Sequence, residues 1–294
     1  MSNASYKIIC IVSVAYLLLV SLFMLWHRMW FSPDQFFAAA MVGALFLGRF
    51  REFIRDWISP IVVLLGYEYL HDLAPKLTGS AHFFSMIKFD KFLFGSVPTV
   101  TLQHWLFTGT VRWYDYLTTF LYVSHFIIPM VLGFIFWLFA KDSFKLYFLG
   151  LLILSYMAFI TYALFPAAPP WMAAQKGILP PIADIMGRVF SPFPQSIQLP
   201  TVYRFFGANL VAAVPSLHAA YPWLTFLFVF RKVRFWGLAL LPYVFGVWFS
   251  VIYLGQHYVF DIVVGWLYAT AAYLLTTHYQ ILWQFLRKGV KENG

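Results

Sequence analysis

The stretch "YLGQHYVFDIVVG", residues 253–265, places an imidazole and a carboxylate at the start of an apolar segment. We predict a helix over 257–279, and residues four apart on a helix share one face. His257 and Asp261 would then be in contact, with the carboxylate accepting a hydrogen bond from one ring nitrogen. That contact fixes the tautomer and leaves the other nitrogen free to attack or to take a proton.

The composition around this stretch is that of a membrane protein. Of the 294 residues, 62% are hydrophobic and 11% are charged, whereas soluble domains carry about 25% charged residues. The net charge of +9 is spread over short loops between apolar segments, so we expect contacts with anionic lipid and no nucleic-acid partner. The single cysteine, Cys10, excludes an intramolecular disulfide and a Cys-based metal site.

The apolar segments predict an all-α, polytopic membrane helical bundle of about six to eight transmembrane helices. The first is too long for the apolar core of a signal peptide, so we interpret it as a retained helix. The expected spans are 8–26, 36–48, 57–71, 115–139, 144–165, 216–230, 235–253 and 257–279. The division that we predict is a single membrane domain, 1–294, made of N-terminal helices (1–71), an interfacial segment (72–114) and a catalytic core (115–279).

The distribution of basic residues predicts the orientation of these spans. With the N-terminus inside, most of the 20 Lys and Arg residues fall in short inner segments, as the positive-inside rule requires. Residues 215–218 and 254–261 then lie at one depth on the outer side. We expect a bacterial inner membrane, with the site on the periplasmic or extracellular side.

The two long outer segments differ in character. Residues 72–114 mix aromatic and basic residues, which is typical of an amphipathic helix lying on the membrane surface. Residues 166–200 are rich in proline, which predicts an ordered loop and not a helix. Irregular backbone at membrane depth is tolerated where it packs in protein or lines a cavity, so this loop is expected to cap a site.

A second histidine, His218, lies in "AAVPSLHAAYPW", where Pro215 and Ser216 predict the start of a helix with Ser216 as its cap. Free backbone N–H groups at a helix start favour an anion. Ionisable groups inside a membrane are costly and usually functional. His125, in "YVSHFIIP", fits a core residue or a site residue equally well.

Two histidines and one aspartate also fit a metal facial triad. However, the eight histidines are at least eleven residues apart, so helical histidine boxes for a di-iron centre are absent. We expect no metal and no cofactor.

The motifs "PSLH" (215–218) and "SVIYLGQHYVFD" (250–261) resemble the second and third signatures of the type 2 phosphatidic acid phosphatase superfamily. The resemblance implies that His257 is a nucleophile that forms a phosphohistidine, that Asp261 orients it, and that His218 protonates the leaving oxygen. "SHF" (124–126) and "FPAAPPWM" (165–172) are similar to the branch that contains inositol phosphorylceramide synthase and its bacterial relatives. That branch moves a phosphorylated head group between lipids, whereas the commoner members hydrolyse lipid phosphates.

The sequence departs from the superfamily where positive charge is expected. Leu217 replaces a glycine, Val251 replaces the phosphate-binding arginine, and the Lys–Arg signature is missing. A transferring phosphoryl group needs positive partners, and Arg204 is the leading substitute, although a solvated loop charge fits it equally well. Arg112 is a weaker substitute, together with Lys88 and Lys91. The residues predicted to bind substrate are Arg204, Ser216, Tyr253, His125 and Arg112.

The sequence therefore predicts a lipid phosphotransferase or phosphatase that acts on lipid phosphates, with a lipid hydroxyl or water as acceptor. A water-excluding, Pro-rich cap favours transfer. The rival hypothesis is a transporter or channel in which His218, His257 and Asp261 line a path. A path would need polar residues along the full depth of the membrane, and the interiors of spans 144–165 and 235–253 are poor in charge. A scramblase-like or structural role is a weaker alternative.

Overall fold

The computed structural model describes residues 33–77, 81–192 and 210–278, so the predicted span 8–26 lies outside the described residues. The helices are α1 (Pro33–Phe46), α2 (Phe50–Leu77), α3 (Phe84–Phe94), α4 (Pro98–Leu106), α5 (Trp113–Phe139), α6 (Lys141–Leu164), α7 (Pro170–Gln175), α8 (Ile185–Phe190), α9 (Leu217–Val233), a 3-10 helix (Arg234–Leu240), α10 (Leu241–Tyr253) and α11 (Val259–Thr277). Strand pairing in the described part of the chain is limited to two isolated bridges. The predicted all-α class is confirmed.

The chain forms two compact units. The first contains the described residues 33–72 and 190–192, which include α1 and most of α2. The second contains 73–77, 81–189 and 210–278, and it carries both predicted histidine motifs. The division into N-terminal helices, interfacial segment and catalytic core stays a prediction.

Four helical stretches among the described residues are long and apolar enough to cross a membrane. They are Trp113–Phe139, Lys141–Leu164, Leu217–Tyr253 and Val259–Thr277. The predicted spans 36–48 and 57–71 fall on α1 and α2, which form helices but are not among these four.

The third stretch, of 37 residues, is a helical hairpin and not one long helix. The backbone reverses at Arg234, whose φ is +51°. Trp248 Nε1 donates to Ala219 O at 3.1 Å, although a straight helix would place these residues about 44 Å apart. The segment therefore forms two antiparallel arms, as the separate spans 216–230 and 235–253 require.

Hydrogen bonds between helices hold α6 against α9 in the second unit. Tyr147 Oη lies 2.8 Å from Thr225 Oγ1, and Ser155 Oγ lies 2.8 Å from Tyr221 Oη. In a bilayer the lipid tails are as apolar as leucine, so helices associate through close packing and such bonds. These contacts fix the start of α9 relative to the rest of the bundle.

The predicted interfacial segment forms the two short helices α3 and α4. Helix α3 buries Met86, Ile87 and Asp90 and exposes Phe84 and Phe92. Exposed aromatic residues on one face and buried residues on the other are what an interfacial helix requires.

In its described part, residues 166–192, the Pro-rich segment contains two helices of six residues each, α7 and α8. The expectation of a loop without helix is corrected here, because Pro170 occupies the first turn of α7, where its missing N–H costs nothing. The loop is tied to its neighbours through its backbone. Ala168 N donates to His82 O at 2.9 Å, and Trp171 N donates to Gly255 O at 3.1 Å.

Candidate active site

The candidate site is built on the starts of α9 and α11, which lie side by side in the second unit. Ser216 caps α9, because its Oγ accepts a hydrogen bond from Ala219 N at 3.3 Å. Its backbone N–H donates to Asp261 O at 3.0 Å. Tyr162 Oη holds the preceding carbonyl, Pro215 O, at 2.8 Å. These contacts attach the turn that carries His218 directly to the helix that carries Asp261.

Two predicted residues, His257 and Asp261, meet as the helical spacing requires. His257 Nδ1 lies 3.2 Å from Asp261 Oδ2, and the same carboxylate oxygen accepts from Tyr258 N at 2.9 Å. The His257 side chain is almost fully buried, and Asp261 is fully buried. Asp261 Oδ1 has no hydrogen-bond partner among the described residues.

The third predicted residue, His218, contacts the other nitrogen of the His257 ring. His257 Nε2 and His218 Nδ1 are 3.0 Å apart. With Asp261 ionised and accepting from His257 Nδ1–H, Nε2 of His257 carries a lone pair, and His218 donates to it. The three side chains form one hydrogen-bonded chain whose central nitrogen can act as a nucleophile.

Two rings from α5 enclose His218. The Tyr122 ring stacks on it with centroids 4.5 Å apart, and the His125 ring lies 4.0 Å from it. His125 Nδ1 is bonded to Tyr122 O at 2.5 Å. The structure therefore brings His125 to the site. Tyr122 was not predicted, although its position three residues before His125 places it on the same helical face.

The remaining predicted binding residues are Tyr253, Arg112, Arg204 and Ser216. Tyr253 is fully buried, and its hydroxyl donates to Asp115 Oδ1 at 2.6 Å, a contact that joins α10 to α5. Its role in substrate binding stays a prediction. Arg112 is exposed at the start of α5, where its Nε donates to Thr108 Oγ1 at 3.4 Å. Arg204 lies outside the described residues, and Ser216 serves as the cap described above. Lys88 and Lys91 are exposed on α3.

The metal alternative concerns the same residues. Within the described ranges no group of three His, Cys, Asp or Glu side chains is arranged to hold a metal ion. The imidazole nitrogens of His218 and His257 face each other, as hydrogen-bonded partners do, at 3.0 Å.

The fold and the two motifs define a class of protein. A model of the PAP2 superfamily matches residues 85–275, more than half of the chain, so the chain belongs to the PAP2 superfamily. It is an integral membrane protein of that superfamily. Over 120 residues it is 34% identical to a protein named phosphoinositol dihydroceramide synthase, from Bacteroides thetaiotaomicron. That match covers 39% of this chain and 39% of the relative's length. No solved structure matches the chain.

The superfamily match confirms the resemblance drawn from the two motifs. The matched range contains every residue of the hydrogen-bonded chain. It also contains α4 and all of α3 except Phe84. Both helices precede the signature motifs, and the sequence analysis placed them only at the membrane surface.

Proposed function

We propose that the protein is a membrane lipid phosphotransferase that moves a phosphorylated head group, such as inositol phosphate, from a donor lipid to a lipid hydroxyl through a phosphohistidine. The observation that carries the proposal is the chain formed by Asp261, His257 and His218, with separations of 3.2 and 3.0 Å. Membership of the PAP2 superfamily and the name of the Bacteroides relative support it.

In the first step, His257 Nε2 attacks phosphorus and the bond from phosphorus to the donor's lipid oxygen breaks. Protonated His218 gives its proton to that departing oxygen, and Asp261 stabilises the positive charge that develops on the His257 ring. Nε2 is hydrogen-bonded to His218 in the structure, so the phosphoryl group enters as these two nitrogens separate. The products are a lipid alcohol and a head-group phosphate carried on His257.

In the second step, neutral His218 takes the proton from an acceptor hydroxyl, whose oxygen attacks phosphorus. The bond between phosphorus and Nε2 breaks, and His257 returns to its starting state. Two displacements replace one difficult displacement, which is the advantage of a covalent intermediate.

Burial of the site favours a lipid acceptor over water. The His257 side chain is 6% exposed and the Asp261 side chain is 0% exposed. The Pro-rich segment packs beside them, because Ala167, Ala173 and Leu179 form one cluster with Tyr258. A closed, apolar site limits hydrolysis of a reactive intermediate. With water as acceptor, the same residues would make a lipid phosphate phosphatase.

The proposed location is a bacterial inner membrane with the site facing outward. His218 lies at the first turn of α9, and the basic residues Arg231 and Lys232 lie at its last turn. A helix of 17 residues separates its two ends by about 25 Å. The positive-inside rule places the basic end in the cytoplasm, and hence the histidines at the opposite side.

The test uses purified protein in detergent with EDTA and phosphatidylinositol labelled in its phosphorus, with and without ceramide. We expect transfer of label to ceramide by the wild type, and loss of at least about a thousandfold in His257→Ala and His218→Ala. His278→Ala is the matched control, because His278 lies at the far end of α11.

Label retained on the wild-type protein in an acid-labile, alkali-stable form identifies the phosphohistidine, and it should be absent from His257→Ala. Activity that survives His257→Ala overturns the nucleophile assignment. Release of inositol phosphate at the same rate with and without ceramide identifies a phosphatase instead. A wild type that turns over no lipid phosphate overturns the enzyme proposal and favours a transport role.

A further inference from the structure

His257 lies in the turn between α10 and α11. Hydrogen bonds and a glycine restrict the backbone conformation of this turn. The N–H groups of Gln256 and His257 both donate to Val251 O, at 3.0 and 3.1 Å. Gly255 has a φ of +76°, and a methyl group there would lie 2.8 Å from Ile182 Cγ2. Left-handed backbone of this kind favours glycine. The position of the nucleophile therefore depends on how this turn is held.

Two side chains from α4 bind the backbone on the upstream side of the turn. Thr99 Oγ1 donates to Ile252 O at 2.8 Å. Gln103 Nε2 donates to Tyr253 O at 2.8 Å. Both carbonyls belong to the last turn of α10, where the oxygens lack the usual helical partners. Ile252 O also accepts from Gly255 N at 3.0 Å, so Thr99 adds a second hydrogen bond to it. Helix α4 thus fixes where α10 ends.

A carboxylate from α3 binds the backbone on the downstream side. Asp90 Oδ2 accepts from Val259 N, and Asp90 Oδ1 accepts from Phe260 N, each at 3.1 Å. These N–H groups are the first two of α11, so they too lack helical partners. The negative charge lies at the positive end of the helix. Asp90 therefore fixes where α11 begins.

The three side chains that hold these two helices are polar and lie in the protein interior. Asp90 and Thr99 are fully buried, and Gln103 is 7% exposed. Burying polar groups costs free energy that apolar packing does not. Apolar packing is already present, since Met86 and Ile87 contact the cluster that contains Tyr258. Hydrogen bonds are directional, whereas apolar contacts are not. Each of these bonds therefore fixes the position of one backbone group.

We propose that Asp90, Thr99 and Gln103 act together as a clamp that positions His257 for attack. They are positioning residues, since none of them is bonded to the reacting nitrogens. The inference rests on the proposed function of His257 and adds to it a part of the chain outside the signature motifs. A displacement of about 1 Å can lower a rate about a hundredfold, so loss of one clamp bond should lower kcat more than it changes KM.

The first test compares Thr99→Val with Thr99→Ser. Valine matches threonine in shape but cannot donate to Ile252 O, whereas serine keeps the hydroxyl. For protein that is monodisperse by size-exclusion chromatography, we expect Thr99→Val to lower kcat about tenfold with KM changed less than about twofold. Thr99→Ser should recover most of the lost rate. A purely structural role predicts a lower unfolding temperature with kcat per folded molecule unchanged, and that result would overturn the proposal.

The second test acts on the opposite side of the turn and does not depend on Thr99. Asp90→Asn keeps the size of the side chain but leaves one of the two N–H groups facing an amide N–H₂. We expect a similar fall in kcat with little change in KM. Wild-type kcat in both Thr99→Val and Asp90→Asn would refute the clamp, whatever their stability.

A measurement without turnover separates this inference from the proposed function. In ¹⁵N-histidine NMR of the ligand-free protein, displacement of the turn should shift the ring nitrogens of His257 in both variants, because the contact with Asp261 changes. The resonances of His278 should not move. If wild type turns over no lipid, the proposed function fails and the His257 shifts alone decide the clamp. Unchanged His257 resonances in both variants would overturn it.

Discussion

At the scale of single residues, the contact between the two histidine motifs depends on a missing side chain. Gly265 lies two turns into α11, where it faces the backbone of Ser216. A methyl group added at this glycine would lie 2.5 Å from Ser216 O. That distance is too short for any real contact, and the obstacle is backbone that is itself bonded to Asp261. The glycine therefore sets how closely His218 can approach His257.

Replacing Gly265 with alanine should move the start of α9 away from α11. Overpacking of this kind costs about 1–3 kcal/mol of stability, and the separation of 3.0 Å between His218 and His257 would be lost. We expect kcat to fall at least about tenfold as a result. Assays of head-group transfer by purified protein, together with thermal unfolding in detergent, check both effects.

Gly246→Ala is the matched control, because a methyl group there would meet only the end of the Leu121 side chain, at 3.1 Å. A side-chain end can move aside, so this variant should keep most of its activity. Equal effects of the two alanines would show that the Ser216 contact has no special role.

Helical periodicity alone pairs only residues whose partners lie nearby in the chain, whereas His218 was joined to His257 through the two motifs and their common depth. The spacing of His257 and Asp261 is local, so helical periodicity is enough to pair them. The bond between Asp90 and Val259 joins residues 169 positions apart, and no periodicity relates them. Periodicity likewise does not relate Tyr253 to Asp115, whose carboxylate accepts from its hydroxyl and which is 138 positions away.

At the scale of elements, α3 carries a buried charge at its contact with α11. Burial raises the pKa of Asp90 from its ordinary value of 3.8 to about 6, although the N–H groups of Val259 and Phe260 act in the opposite direction. The titratable groups of α11 that face it are Asp261 and Tyr258. Lys88 and Lys91, on its own helix, point to the exposed face.

The raised pKa predicts opposite effects of Asp90→Asn on stability and activity. The folded state binds the Asp90 proton more tightly than the unfolded state, so this group lowers stability as pH rises from about 4 to about 6. Asparagine cannot ionise. We therefore expect Asp90→Asn to unfold at a higher temperature than wild type at pH 7.5, with the difference disappearing below pH of about 4. Its kcat at pH 7.5 should nevertheless be lower.

Thermal unfolding of both proteins in one detergent between pH 4 and pH 8 measures this difference. The histidines titrate in both proteins, so their contributions cancel in the comparison. A variant that is less stable than wild type at pH 7.5 would contradict the prediction and would make Asp90 a net stabilising contact.

The elements themselves were predictable to different degrees. The two arms of the hairpin 217–253 could be predicted because a basic cluster separates two apolar runs, and charged residues are excluded from the bilayer interior. The short helices α7 and α8 differ from the loop that the many prolines of this segment predict. Proline excludes helix only after the first turn, and α7 begins with one.

In the molecule as a whole, two groups of polar and charged residues lie at opposite ends of the second unit. One end carries the histidines and the clamp. The other carries Asp142 and Lys145 at the start of α6 and Arg231 and Lys232 at the end of α9. Asp142, Arg231 and Lys232 line one cavity of about 260 Å³. Full helices separate the two ends, so we predict that the site opens to one side of the membrane, and the orientation proposed above makes this the outer side.

Labelling of engineered cysteines measures this orientation directly, because Cys10 is the only native cysteine. In a Cys10→Ser background, Ser85→Cys places a thiol on the exposed face of α3 at the histidine end, and Asp142→Cys places one at the basic end. A membrane-impermeant maleimide added to right-side-out vesicles should label Ser85→Cys, while Asp142→Cys should react only after permeabilisation. The reverse pattern would place the histidines in the cytoplasm. In that case the lipids that reach the site would be those of the inner leaflet.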